Sequence, residues 1–129
     1  MKTIIHLAIL WVLLILVDIP WLWYRMDYHT QFFAKVQGGP MQIRYGPAAL
    51  VYLLLAMALL GYALPASSWK EAAKRGALVG GVMYGFYDAT NWATLKGWTA
   101  EMAIVDTLWG AVAGALASTA FFHIQKKLM

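Results

Sequence analysis

Apolar positions along this chain gather into four long blocks, at about residues 4–24, 47–64, 76–95 and 102–124, with the polar positions crowded between them. Crossing the hydrocarbon core of a bilayer takes about 20 mostly apolar residues in a helix. The pattern therefore predicts an all-α fold, an integral membrane bundle of four transmembrane helices in which residues 1–129 form a single domain. The first block follows Lys2 and imitates a signal peptide. It has no small-x-small cleavage site, however, and it continues through Asp18 into Pro20, Trp21 and Trp23, so it reads as the first helix. Pro47 suits the first turn of the second helix. Ser68 and Glu71 have the spacing of a capping box. This starts the third helix ahead of the membrane, with Trp69, Lys70, Lys74 and Arg75 on an interfacial first turn. Gln37 to Pro40, with two glycines and a proline, punctuates the only long loop, whose Tyr28, Phe32 and Phe33 are expected along the membrane interface.

Composition agrees with the pattern. At 62% hydrophobic and 12% charged residues, the chain has more apolar side chain than a soluble domain of 129 residues can bury. The absence of cysteine excludes a disulfide framework, a thiolate metal site and thiol redox catalysis. The net charge of +4 is scattered over loops and ends, which excludes a nucleic-acid footprint and leaves the lipid bilayer as the first partner. With four spans, Lys2, Lys70, Lys74, Arg75, Lys126 and Lys127 lie on one side, and Arg25, Lys35, Arg44 and Lys96 on the other. The richer side is expected to be cytoplasmic, which places both termini there, in a multi-pass protein of the plasma or inner membrane.

Three aspartates interrupt the apolar blocks, and a charge at that depth costs several kcal/mol unless it is paired. At about 1.5 Å per residue, Asp18 lies roughly 21 Å from the cytoplasmic end of its helix, Asp88 roughly 18 Å and Asp106 roughly 25 Å, so the three form a layer in the outer half of the bilayer. Helical spacing supplies their neighbours. Asp18 shares a face with Trp11, Leu14 and Trp21; Asp88 with Tyr84, Asn91 and Trp92; Asp106 with Trp109 and Gly110. The pairs Gly81 with Gly85 and Gly110 with Gly114 have small-xxx-small spacing, which favours packing of the third helix on the fourth.

Each feature also has a plain structural explanation. A buried aspartate can serve only to bond Tyr, Trp or Asn across helices, and an aromatic belt at the interface accounts for most of Trp21, Trp23, Tyr24, Trp92 and Trp98. Three acids at one height favour function over structure. His6 and His123 fall far from the acids, and His29, in the loop, carries no signal.

Residues 84–98 read YGFYDATNWATLKGW, and with DIPW at Asp18 and DTLWG at Asp106 this closely resembles the family called domain of unknown function 2177. The resemblance covers nearly the whole chain. It implies a small four-helix membrane protein whose signature positions include Asp18, Trp21, Tyr84, Tyr87, Asp88, Thr90, Asn91, Lys96, Trp98, Asp106, Trp109 and Gly110. Ala89 stands where the family's motif leads one to expect leucine or phenylalanine, a change of packing and not of chemistry. The resemblance implies no activity.

The residues favour a proton- or cation-coupled small transporter or channel, with Asp18, Trp21, Tyr84, Tyr87, Asp88, Asn91, Asp106 and Trp109 binding the ion or substrate. Four helices barely enclose a cavity, so a homodimer is expected. A lipid-modifying enzyme using Asp88 and Asp106 as an acid/base pair is the alternative, with Lys96 at a phosphate headgroup; a non-catalytic structural or regulatory module is the third reading. No catalytic residue is assigned. Three carboxylates suit a hard divalent cation such as Mg²⁺ or Ca²⁺, and the sequence leaves the metal and any cofactor open.

Overall fold

The computed structural model describes residues 2–64 and 66–128 and is helical throughout, with no strand among the described residues. Helix α1 (Lys2–Tyr24) is followed after one residue by α2 (Met26–Gln37). Helix α3 (Tyr45–Ala58) runs on into a π turn (Leu59–Ala63), and α4 (Trp69–Thr94) and α5 (Ala100–Leu128) complete the chain. Among the described residues, three helices are long and apolar enough to cross a membrane: Lys2–Tyr24, Tyr45–Ala63 and Ala100–Lys127. The expected third span differs. Helix α4 has 26 residues, about 39 Å of length, but Gly76, Gly80, Gly81, Gly85, Asp88 and Asn91 dilute its hydropathy and it is not among the three.

The dilution follows from how α4 packs. It lies antiparallel against α5 with Gly76 beside Gly114 and Gly80 beside Gly110, so that backbone touches backbone. A methyl group on Gly80 would sit 2.0 Å from the Gly110 carbonyl oxygen, and one on Gly114 would sit 2.1 Å from that of Gly76. Tyr84 takes the next position and packs against Gly110, where a methyl group would meet its ring at 2.3 Å. The expected packing of these two helices is present, but the glycines that carry it on α4 are Gly76 and Gly80. At Gly81 and Gly85 an added methyl would make only ordinary contacts, at 3.5 and 3.4 Å.

The expected loop after the first span contains a helix. Tyr28, His29, Phe32, Phe33 and Val36 recur at helical spacing, and burying Phe32 against Trp98 fixes α2 across the end of the bundle. Trp98 meets Phe32 edge-on at 5.1 Å, Phe33 at 5.6 Å and Tyr87 at 5.9 Å. Such pairs contribute about 0.5–1.5 kcal/mol each beyond their buried area. Trp98 is thus a buried anchor and not a member of an interfacial belt. Gly38, at φ 76°, ends α2, and the Gly38 and Gly39 N–H groups both donate to the Ala34 carbonyl.

A second cluster fills the opposite half of the bundle, where Leu10 and Leu14 of α1 meet Leu55 of α3, Leu59 of the π turn and Phe121 of α5. His6 stands edge-on to Phe121 at 5.2 Å, which sets the start of α1 beside the end of α5. Between the two clusters the helices do not close.

The start of α4 follows its capping signal. Ser68 Oγ accepts from Glu71 N at 3.1 Å, and the Glu71 carboxylate reaches back to Ser67, accepting from its N at 2.7 Å and its Oγ at 2.6 Å, while Arg75 pairs with it at 2.6 Å. These Ser67 bonds, with Arg75 assisting, hold the Glu71 carboxyl below the usual glutamate range. A lowered value means that Glu71 stabilises the fold fully above the ordinary glutamate range and ceases to do so as pH falls through its own lower value. The melting temperature of the purified protein is expected to decline over that acid window, and Glu71→Gln to remove this part of the decline. Identical acid profiles for the two proteins would disprove the cap's contribution.

Candidate functional site

Asp18 sits three quarters of the way along α1, on the face that carries Leu14, and is 6% exposed. Two donors from other helices hold it. Trp109 Nε1 of α5 donates to Oδ1 at 2.7 Å, and the Tyr52 hydroxyl of α3 donates to Oδ2. One carboxyl group thereby ties three helices together, which satisfies both oxygens at a depth where an unmet acceptor is expensive. Behind it, Trp109 stacks on Trp21 at 4.8 Å with the rings 7° from parallel. The Arg25 guanidinium lies over the Trp21 ring at 5.4 Å and over Tyr28 at 4.0 Å. Its Nε and Nη2 are buried without a hydrogen-bond partner, so the two ring faces provide its stabilisation.

Asp18 opens on a cavity of about 430 Å³ that all five helices line. Asp106 of α5 faces the same space, with Tyr84 and Tyr87 of α4 and Tyr52 of α3. The remaining wall is mostly apolar and includes Val51, Leu54, Leu55, Met83 and Met102, and α2 closes one end with His29 and Phe33. Burial pushes the His29 imidazole below the usual histidine range; Asp106 and Asp18 oppose that and Arg25 adds to it. His29 is therefore a neutral donor or acceptor at pH 7, at the α2 end of a chamber with two acids.

Asp88 is placed differently. It is fully buried between α4 and α5, outside the cavity lining, and although Asp106 and Trp98 stand next to it no hydrogen bond of normal geometry reaches either oxygen. Trp98 Nε1 is likewise without a partner. Asn91 lies beside Tyr87 one turn on. Trp92 is half-exposed and points outward.

Of the eight residues expected to form a site, the cavity thus brings together Asp18, Asp106, Tyr84 and Tyr87. Trp109 and Trp21 support Asp18 from behind, Asp88 is sealed behind Asp106, and Asn91 is peripheral. The three acids do not converge on a metal, for no group of three His, Cys, Asp or Glu among the described residues is arranged to hold one. Two polar lining residues, Tyr52 and His29, lie outside the set expected from the sequence. A lone hydroxyl in the apolar run of α3 was a signal for Tyr52, since a buried phenol seeks a partner. The helical spacing of His29 with Phe33 sets both on one face of α2 but carries no link to the acids.

A family model described as predicted membrane protein (DUF2177) matches residues 3–123, nearly the whole chain. No curated protein and no solved structure matches it.

Proposed function

We propose that this chain, which belongs to the DUF2177 family of predicted membrane proteins, is a small proton- or cation-coupled transporter whose ligand occupies the cavity between Asp18 and Asp106. The observation that carries the reading is that two carboxyl groups from different helices face one largely apolar cavity. Intramembrane acids are costly, and a cation or proton is the ligand that offsets the cost. Asp106, half-buried, receives the charge. Asp18, already held by Tyr52 and Trp109, is a fixed second negative centre. Asp88 lies one step behind Asp106 and out of reach of the ligand, a location suited to a proton exchanged with Asp106. The cavity is lined by one chain, so the reading asks nothing of a second copy.

The membrane arrangement in this reading has four spans. Helix α4 crosses with its glycine face covered by α5, α2 lies on the outer surface, and both termini are cytoplasmic. Because the chain has no cysteine, single cysteines at Ser67 and Gln42 can be probed in intact cells with an impermeant maleimide. Labelling of the second and protection of the first are expected; the opposite pattern would overturn the orientation, and equal labelling of both the span count.

Transport is tested by cation and proton flux into liposomes holding the purified protein. Asp106→Asn is expected to reduce flux about tenfold or more, the factor that corresponds to losing ~1.4 kcal/mol of ion pairing, and Asp88→Asn to abolish its dependence on a pH gradient. Native flux no greater than that of empty liposomes would refute the proposal.

A further inference from the structure

The shape of the cavity wall says how a ligand reaches it. Along the π turn at the end of α3, α3 and α4 are in close contact, whereas the body of α3 makes few contacts with α4. The two helices therefore diverge from the π turn towards the α2 end, and the cavity lies in the widening gap. Val51, Leu54 and Tyr87 line the cavity, yet they are 57%, 48% and 50% exposed on the outside of the bundle. A side chain can do both only at an opening. The end of the cavity nearest the loops is covered by α2, with His29 and Phe33 on the lining and Phe32 locked against Trp98. The mouth thus faces sideways, where the surrounding surface is apolar and Leu50, Val51 and Leu54 of α3 are exposed.

From this geometry we infer that the ligand is an amphiphilic cation, an ammonium head on an apolar tail, which enters from the bilayer between α3 and α4. The inference rests on the proposed cation site and names its substrate class. The head is placed between Asp106 and Asp18, where the two carboxyl groups supply the opposite charge. The tail lies along Val51, Leu54 and Met83 and continues through the opening into the lipid, so it needs no enclosed space of its own. A hydrated inorganic ion has no use for such an opening, since hydrocarbon does not deliver it. Both a free lipophilic amine and a membrane lipid with an amine head present this chemistry.

The test is equilibrium binding of two quaternary probes, dodecyltrimethylammonium and tetramethylammonium, to the full chain in dodecyl maltoside micelles, corrected for empty micelles. The fixed charge removes any titration of the probe. The long probe is expected to bind once per chain and at least about tenfold more tightly than the short one, with Asp106→Asn weakening it by about tenfold or more, each tenfold step corresponding to ~1.4 kcal/mol. Val51→Trp, at a side chain that faces outward and tolerates bulk, is expected to block the opening and weaken the long probe while circular dichroism stays native. Added phosphatidylethanolamine displaces the probe if a lipid head is the natural occupant and leaves it bound if a free amine is; either result keeps the inference. Equal binding of the two probes, unaffected by Val51→Trp, would overturn the amphiphile and the sideways entry while leaving the cation site standing. Absence of binding of both probes, with Asp106→Asn indistinguishable from native, would overturn the inference together with the cation site.

Discussion

Gly80→Ala is expected to separate α4 from α5 and to cause the largest loss of stability of any single methyl added to this protein. The added carbon would lie 2.0 Å from the Gly110 carbonyl oxygen and 2.9 Å from its carbonyl carbon. Both are backbone atoms, so no rotamer change relieves the clash, and the helices must move apart along their whole contact. In a bilayer no hydrophobic force holds two helices together; close backbone approach and the dispersion contacts that it permits do so. The cost belongs at the upper end for an overpacked site, about 3 kcal/mol. Gly81→Ala, one residue away, meets only Ala111, at ordinary contact distances of 3.5 and 4.0 Å, and Gly61→Ala meets nothing within 4 Å. Thermal unfolding in mild detergent, followed by helical circular dichroism, is expected to show a much lowered midpoint for Gly80→Ala and near-native midpoints for the two controls. Three equal midpoints would show that α4 and α5 do not pack through these glycines.

Asp18→Leu is expected to cost about 2 kcal/mol of stability, because it strands two half-buried donors, the Trp109 indole N–H and the Tyr52 hydroxyl, each worth about 1–3 kcal/mol when left unmet. The relief of burying an acid offsets part of that sum. The signature is coupling and not magnitude. Tyr52→Phe alone is expected to cost about 1 kcal/mol, and the same substitution made on top of Asp18→Leu to restore about 1 kcal/mol by removing the stranded hydroxyl, a double-mutant coupling of about 2 kcal/mol. Trp109 also loses the bond that orients it over Trp21, so the tryptophan emission of Asp18→Leu is expected to differ from native. A Tyr52→Phe effect of the same size in both backgrounds would mean that the hydroxyl does not serve Asp18.

The site was legible in part, for a reason visible in particular residues. Asp18, Tyr84, Tyr87 and Asp106 stand out in the sequence because polar groups in apolar helices are rare, and all four line the cavity. Tyr52 and His29 line it too, but helical spacing places a residue only on its own helix, and these two reach the acids from α3 and α2. The contact of Trp109 with Asp18 joins residues 91 positions apart, a distance over which periodicity carries no information. The same limit explains the glycines. Four glycines of α4, Gly76, Gly80, Gly81 and Gly85, offer two stripes of small-xxx-small spacing about 140° apart around the helix. Both look alike in one dimension, and α5 packs on only one of them.

By itself the chain's pattern of residues determined that this is a helical membrane protein, where α4 begins, and that its acids and aromatic residues form the unusual part of an apolar chain. Those properties follow from solvation and from local hydrogen bonding, which act residue by residue. Only the tertiary structure decided that α2 folds back over the bundle, that Asp88 is sealed away while Asp18 and Asp106 share a cavity, and that the cavity opens between α3 and α4. Each of these depends on how helix faces meet: on the close fit of Gly76 and Gly80 against α5, and on the divergence of α3 from α4 beyond the π turn. Packing is a property of pairs of surfaces, and no single stretch of sequence contains both.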